Sequence, residues 1–194
     1  MGDTSAQVGL LLINAIAGFF LFVVVLRFML QAVRADFYNP ISQFLVKASN
    51  PLLIPLRKIV PGFGGLDMAA IVLILFIQLA AITLSLLAAG YPLPFPNIII
   101  WAALGTVGLF LKLYFWGILV VVISSWLAPQ SSNPALLLIR QLVEPLTSRI
   151  RKLLPDMGGL DLSPIIIFLT IQVFEVILNG MARSAGAPGF VIGL

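Results

Sequence analysis

The chain contains no cysteine and no histidine. That excludes disulfides, thiolate chemistry, zinc sites built on Cys or His, His-ligated haem and an imidazole general base. Charge is scarce too. Only 9% of the residues are Asp, Glu, Lys or Arg, while 61% are hydrophobic and the mean hydropathy is +1.15. Soluble domains carry roughly a quarter charged residues, so this composition excludes an ordinary soluble domain.

Long apolar runs are what the chain does have. Residues 8–33, 69–89, 102–127 and 164–182 are each long and apolar enough to cross a bilayer core, which takes roughly 20 helical residues. Residues 1–7 carry Asp3 and no cation, and the run behind them is too long for a signal-peptide core, so the first span is read as a retained helix.

The sequence also contains itself twice, 94 residues apart and without a gap. Asn39-Pro40 recurs as Asn133-Pro134, Pro51-Leu52 as Pro145-Leu146, and Arg57-Lys58 as Arg151-Lys152. Gly64-Gly65-Leu66-Asp67 returns as Gly158-Gly159-Leu160-Asp161, and Gln78 as Gln172. Residues 1–94 and 95–194 are therefore read as two copies of one unit: helix, polar connector, helix. Two crossings per copy set both copies the same way up. The expected fold is an all-α membrane protein of four transmembrane helices in two parallel repeats. Each repeat carries an amphipathic interfacial connector, at 39–60 and 133–154.

The cations sit in the connectors: Arg34, Lys47, Arg57 and Lys58 in the first, Arg140, Arg149, Arg151 and Lys152 in the second copy's. The loop between the copies, residues 90–97, has no charge. By the positive-inside rule both connectors are expected in the cytoplasm and both termini outside. Tyr91, Phe95 and Trp101 fit one interface and Trp126 the other. The net charge of +4 is thus a topology signal, and no direct nucleic-acid partner is expected.

Within the connectors, Leu52, Leu53, Leu56 and Ile59, and again Leu146, Ile150, Leu153 and Leu154, recur at helical spacing. Pro145 is placed in the first turn of its helix, and Pro55 is expected to kink the first copy's. Arg57, Lys58, Arg149, Arg151 and Lys152 are the candidate groups for anionic headgroups or partner proteins. The Gly pairs permit positive φ in a tight turn, after which Asp67 and Asp161 are expected to N-cap the following helices.

Paired segments of the form NP…P…R(R/K)…Px(F/M)GG(L/I)D, each between two hydrophobic helices, resemble the bacterial YGGT family and its YlmG-type relatives in other bacteria and plastids. The resemblance covers nearly the whole chain. It implies a multi-pass protein of the bacterial cytoplasmic membrane, with links to osmotic-stress tolerance, cell-division gene neighbourhoods and, in plastids, nucleoid organisation and cytochrome b6 assembly. It assigns no catalytic residue.

Polar residues inside the spans are the remaining candidates. Lys112 and Glu175 fall near mid-membrane, and their equivalents in the first copy are Gly18 and Ala81. One copy has both charges and the other neither, so the two are expected to pair. Gly105, Gly108 and Lys112 share a face on which a neighbour can approach closely. Gln172, Glu175 and Asn179 form a stripe whose counterpart is Gln78, Ala81 and Ser85. The stripes are read as interhelical glue, with an ion or proton path as the alternative. Arg27, near the end of its span, is read as snorkelling to the interface.

The expected function is therefore non-enzymatic: a membrane organiser or assembly factor acting through its connectors, with no cofactor and no metal. Anionic lipid, membrane-protein partners or further copies of the chain are its candidate partners. A small transporter or channel component is the alternative.

Overall fold

Inside a bilayer there is no water to take up backbone N–H and C=O groups, so an apolar run satisfies them within itself as a helix. A computed structural model describes residues 2–155 and 161–194, and the described residues form six helices. These are α1 (Gly2–Ala32), α2 (Pro40–Arg57), α3 (Met68–Ala88), α4 (Asn97–Leu127), α5 (Pro134–Arg151) and α6 (Ser163–Ser184). Four of them, α1, α3, α4 and α6, are long and apolar enough to cross a membrane. Large apolar side chains stay exposed along their outer faces, among them Leu11, Ile16, Phe76, Trp116 and Val176.

The duplication is visible in the connectors, because α2 and α5 start and stop 94 residues apart. Each opens on the repeated Asn-Pro. The Asn39 and Asn133 side chains accept from the N–H groups of Ile41 and Ala135, and the proline, which has no N–H to leave unpaired, takes the first turn. This cap sets the helix start earlier than the apolar spacing implied. Pro145 is consequently inside α5 and not in its first turn, and Pro51 and Pro55 are inside α2. The two connectors meet: Asn39 Nδ2 donates to Pro134 O at 2.8 Å, and Asp36 N–H to Gln141 Oε1 at 2.9 Å. Both therefore stand at one end of the bundle.

The turn into α3 follows the expected chemistry. Gly64 and Gly65 have φ of +60° and +81°, and Asp67 caps α3 by accepting from Ala70 N–H. Gly158 and Gly159 lie outside the described residues. In the second copy the cap moves: Leu162 is the N-cap residue of α6, and Asp161 accepts from Ser163 N–H instead. The cause is Pro164, which occupies the position equivalent to Ala70 and has no N–H to offer.

In the first copy α1 packs directly on α3 through Leu21, Val24 and Val25 against Ala70, Leu73 and Ile74. The second copy differs. Residues 185–194 turn back from the end of α6 and enter the bundle, where Val191 packs with Ile82, Leu86 and Trp101, and Leu194 with Leu104, Leu111 and Leu178.

Candidate functional site

A returning, non-helical segment inside a bundle must have its carbonyls bonded. Three side chains do this for residues 185–194. Trp101 Nε1 donates to Ala185 O at 2.9 Å, Gln78 Nε2 to Ile192 O, and Lys112 Nζ to Leu194 O at 3.2 Å. Internal bonds from Val191 N–H to Pro188 O and from Leu194 N–H to Val191 O hold two further carbonyls. Gly105 and Gly108 make room, since a Cβ at Gly105 would strike Gln78 Nε2 and Ile192 O, and one at Gly108 would strike Gly193 O. The close approach expected at these glycines is present, and the backbone that makes it is this segment's, with the Gln78 side chain of α3 beside it at Gly105.

That placement corrects the expected ion pair. Lys112 and Glu175 do not pair; the ion pairs among the described residues are Arg57–Asp67, Arg151–Asp161 and Arg151–Glu144. Leu194 packs between α4 and α6, where the pair would form, and takes the Lys112 ammonium. Helix α6 turns Ile167, Ile171, Leu178 and Ala182 inward. Glu175 is half-buried on that side, while Gln172 and Asn179 are exposed. Gln78 and Ser85, by contrast, are fully buried. Gln78 Oε1 and Ser85 Oγ have no protein partner. The two stripes therefore do not face each other. Trp101 is likewise buried at 4% exposure and not a free interfacial aromatic, whereas Tyr91, Phe95 and Trp126 are exposed.

At the connector end the repeat builds one latch twice. Arg57 in the last turn of α2 binds Asp67 through Nε and a second guanidinium nitrogen, and Arg151 of α5 binds Asp161 in the same manner at 3.0 and 2.8 Å. Two of the five expected headgroup cations are thus engaged within the chain, each with two guanidinium nitrogens converging on the Oδ2 of its aspartate while Oδ1 accepts the backbone N–H. Asp67 is 6% exposed, and the Asp161 side chain 37%. Burial pushes the Asp161 carboxyl up, but hydrogen bonds from Ser163 and Arg151 outweigh it and hold the group below its ordinary value. The bond to Asp161 correspondingly holds the Arg151 guanidinium above its own. Lys58, Arg149 and Lys152 are exposed and enter no ion pair among the described residues.

Arg27 does not snorkel. It is 7% exposed, and it donates to Ser49 Oγ at 2.6 Å and to Val46 O at 3.4 Å across the α1–α2 contact. Inspection of single apolar runs gives no sign of this. The 94-residue offset does: Arg27 and Ser49 correspond to Val121 and Val143, so both partners turn apolar together.

Fold and site define a class: a helical, multi-pass membrane-type protein made of two tandem copies of a span–connector–span unit. The profile of the CCB3/YggT family matches the chain twice, over residues 6–88 and 100–182, and the chain belongs to that family. It is 46% identical over 180 residues to an uncharacterised protein of Pseudomonas aeruginosa, covering 91% of each chain. It is 36% identical over 184 residues to the protein called YggT in Escherichia coli K12, covering 92% of this chain and 91% of that one. A Vibrio alginolyticus protein is 37% identical over 170 residues, 87% of this chain and 91% of the relative. No solved structure matches.

Proposed function

We propose that the protein is a non-enzymatic organiser or assembly factor of the bacterial inner membrane, working through the connector end of the bundle on anionic lipid or a partner protein. Both connectors face the cytoplasm and both termini the outside in this reading, and its setting is envelope or osmotic-stress homeostasis. One observation carries it: Lys58, Arg149 and Lys152, which enter no ion pair among the described residues, share that end with exposed Phe37, Tyr38, Ile59, Phe63 and Leu153. Apolar side chains beside free cations suit the headgroup boundary, where each cation contributes about 1 kcal/mol of attraction to anionic lipid. The transport alternative draws less support, because residues 185–194 fill the space between Gln78 and Lys112.

Affinity capture in mild detergent, with mass spectrometry of both proteins and lipids, tests the reading. Reproducible enrichment of anionic lipid or of one membrane assembly is the expected result. Capture of the chain with neither counts against it.

A second copy of the chain is the partner that fits α6. Ile165, Leu169, Gln172, Val176 and Asn179 are all exposed, at the alternating four- and three-residue spacing of a helix–helix seam. The Gln172 and Asn179 amides bond nothing among the described residues, and amides are self-complementary donors and acceptors. A two-fold axis along the membrane normal sets each opposite itself. With no native cysteine in the background, Val176→Cys should give a disulfide-linked dimer on mild oxidation, and Trp116→Cys on α4 should not. A monomer from Val176→Cys, or equal dimer from both, contradicts the seam.

A further inference from the structure

We infer that the cavity between α1 and α2 of the first copy binds a phosphate group through Arg27, Arg34 and Arg57. This deepens the anionic-lipid reading above and rests on it for the membrane setting. The cavity is about 350 Å³, at the small end of ligand sites, and lies at the connector end. Its polar wall is Arg27, Arg34, Arg57, Gln31 and Ser42, and Leu30, Phe37, Leu45 and Val46 form its apolar side.

Arg27 is the first reason. A buried guanidinium ordinarily has a carboxylate beside it, because an unpaired buried charge is costly. Arg27 has a hydroxyl and a carbonyl, and no acidic group within ion-pair distance among the described residues. The one lining cation with a carboxylate is Arg57, on Asp67, and nearby Asp36 accepts from Tyr38 N–H. Three guanidiniums line the cavity, and the two carboxylates beside it, Asp67 and Asp36, do not, which leaves the cavity short of negative charge. A tetrahedral phosphate offers several acceptor oxygens to converging planar forks, which a single carboxylate cannot do.

Arg34 is the second reason. Helix α1 ends with Arg34 N–H bonded to Gln31 O and Ala35 N–H to Leu30 O, a Schellman ending with Arg34 at the left-handed position, φ +55°. Glycine is free of strain there, and an arginine is not. Its side chain lines the cavity. The second copy is the built-in contrast: Arg27, Arg34 and Ser49 become Val121, Ala128 and Val143. Ala128 has φ −149°. The phosphate site is thus a property of one copy only.

The test uses the full chain purified in detergent, titrated with short-chain phosphatidylglycerol or with inorganic phosphate and read by thermal unfolding. Wild type should be stabilised saturably. The double variant Arg27→Val/Ser49→Val, which copies the second repeat, should bind roughly tenfold weaker or worse, as expected for lost charge-assisted bonds. Arg34→Gly should unfold at a higher temperature than wild type without ligand and yet respond less to it, a pair of effects that lost folding cannot mimic. A response to phosphatidylglycerol alone assigns the phosphate to a lipid headgroup, and a response to inorganic phosphate assigns it to the free anion. No response in wild type, or an unchanged response in Arg34→Gly, overturns the site. Neutralising Lys58, Arg149 and Lys152 should leave this titration intact, so the pocket and the broader connector reading can fail separately.

Discussion

Gly108→Val should expel residues 185–194 from the bundle. The new side chain would occupy the position of the Gly193 carbonyl, which is backbone and cannot swing aside as a flexible side chain can. Overpacking of this kind costs about 1–3 kcal/mol, and here the segment can leave. Val191 reports on it, being 2% exposed beside Trp101 in a chain with no native cysteine. Val191→Cys alone should resist a maleimide, and Val191→Cys with Gly108→Val should react quickly. Gln78→Leu should give an intermediate rate, because it removes the donor to Ile192 O but adds no clash. Equal labelling of the single and double variants would show that the segment is not held as described.

The second large effect belongs to the latches, and it should be unequal. Asp67→Ala removes the cap of α3 and strands Arg57 beside a nearly buried site. A lost cap costs about 1 kcal/mol, and breaking a buried pair costs about 3–5 kcal/mol. Arg57 keeps part of its surface in solvent, so about 2–3 kcal/mol is expected in total. Asp161→Ala should cost about 1 kcal/mol or less, since its pair is exposed. The folded Asp161 carboxyl is depressed, so its contribution is complete above the ordinary value of 3.8 and is lost as pH falls through the lower folded value. Asp161→Asn should therefore lose stability relative to wild type at neutral pH and converge on wild type as pH falls below about 4, where the wild-type contribution is itself being lost. Thermal unfolding in detergent across pH reads both. Equal losses from Asp67→Ala and Asp161→Ala would contradict the burial difference.

Much of this architecture is legible in the sequence because membrane spans and duplication are both strong, long-range signals. Four apolar runs and one fixed offset suffice for two span–connector–span copies, and the Gly-Gly-Leu-Asp turn carries its own local chemistry. What could not be read is where the copies stop being equivalent. Pro164 shifts the α6 cap by one residue, an effect decided by one missing N–H. The role of Lys112 depends on a returning segment with no periodicity to mark it, and a charge on one helix does not say which neighbour meets it. Gly105 and Gly108 announced a close approach but could not name the partner. Arg27 looked interfacial from its distance to the helix end, and became a buried, bonded group only once α2 was laid across α1.

The central claim is that the free cations of the connectors bind anionic lipid. The most direct measurement is the lipid retained by the purified protein after extraction from bilayers of mixed phosphatidylglycerol and phosphatidylcholine. Wild type should retain phosphatidylglycerol selectively, and less so as salt rises, because exposed charges are screened over about 10 Å at 0.1 M. The variant Lys58→Gln/Arg149→Gln/Lys152→Gln should lose most of that preference while remaining folded. Equal retention of both lipids by wild type, or a preference unchanged in the variant, would contradict the account.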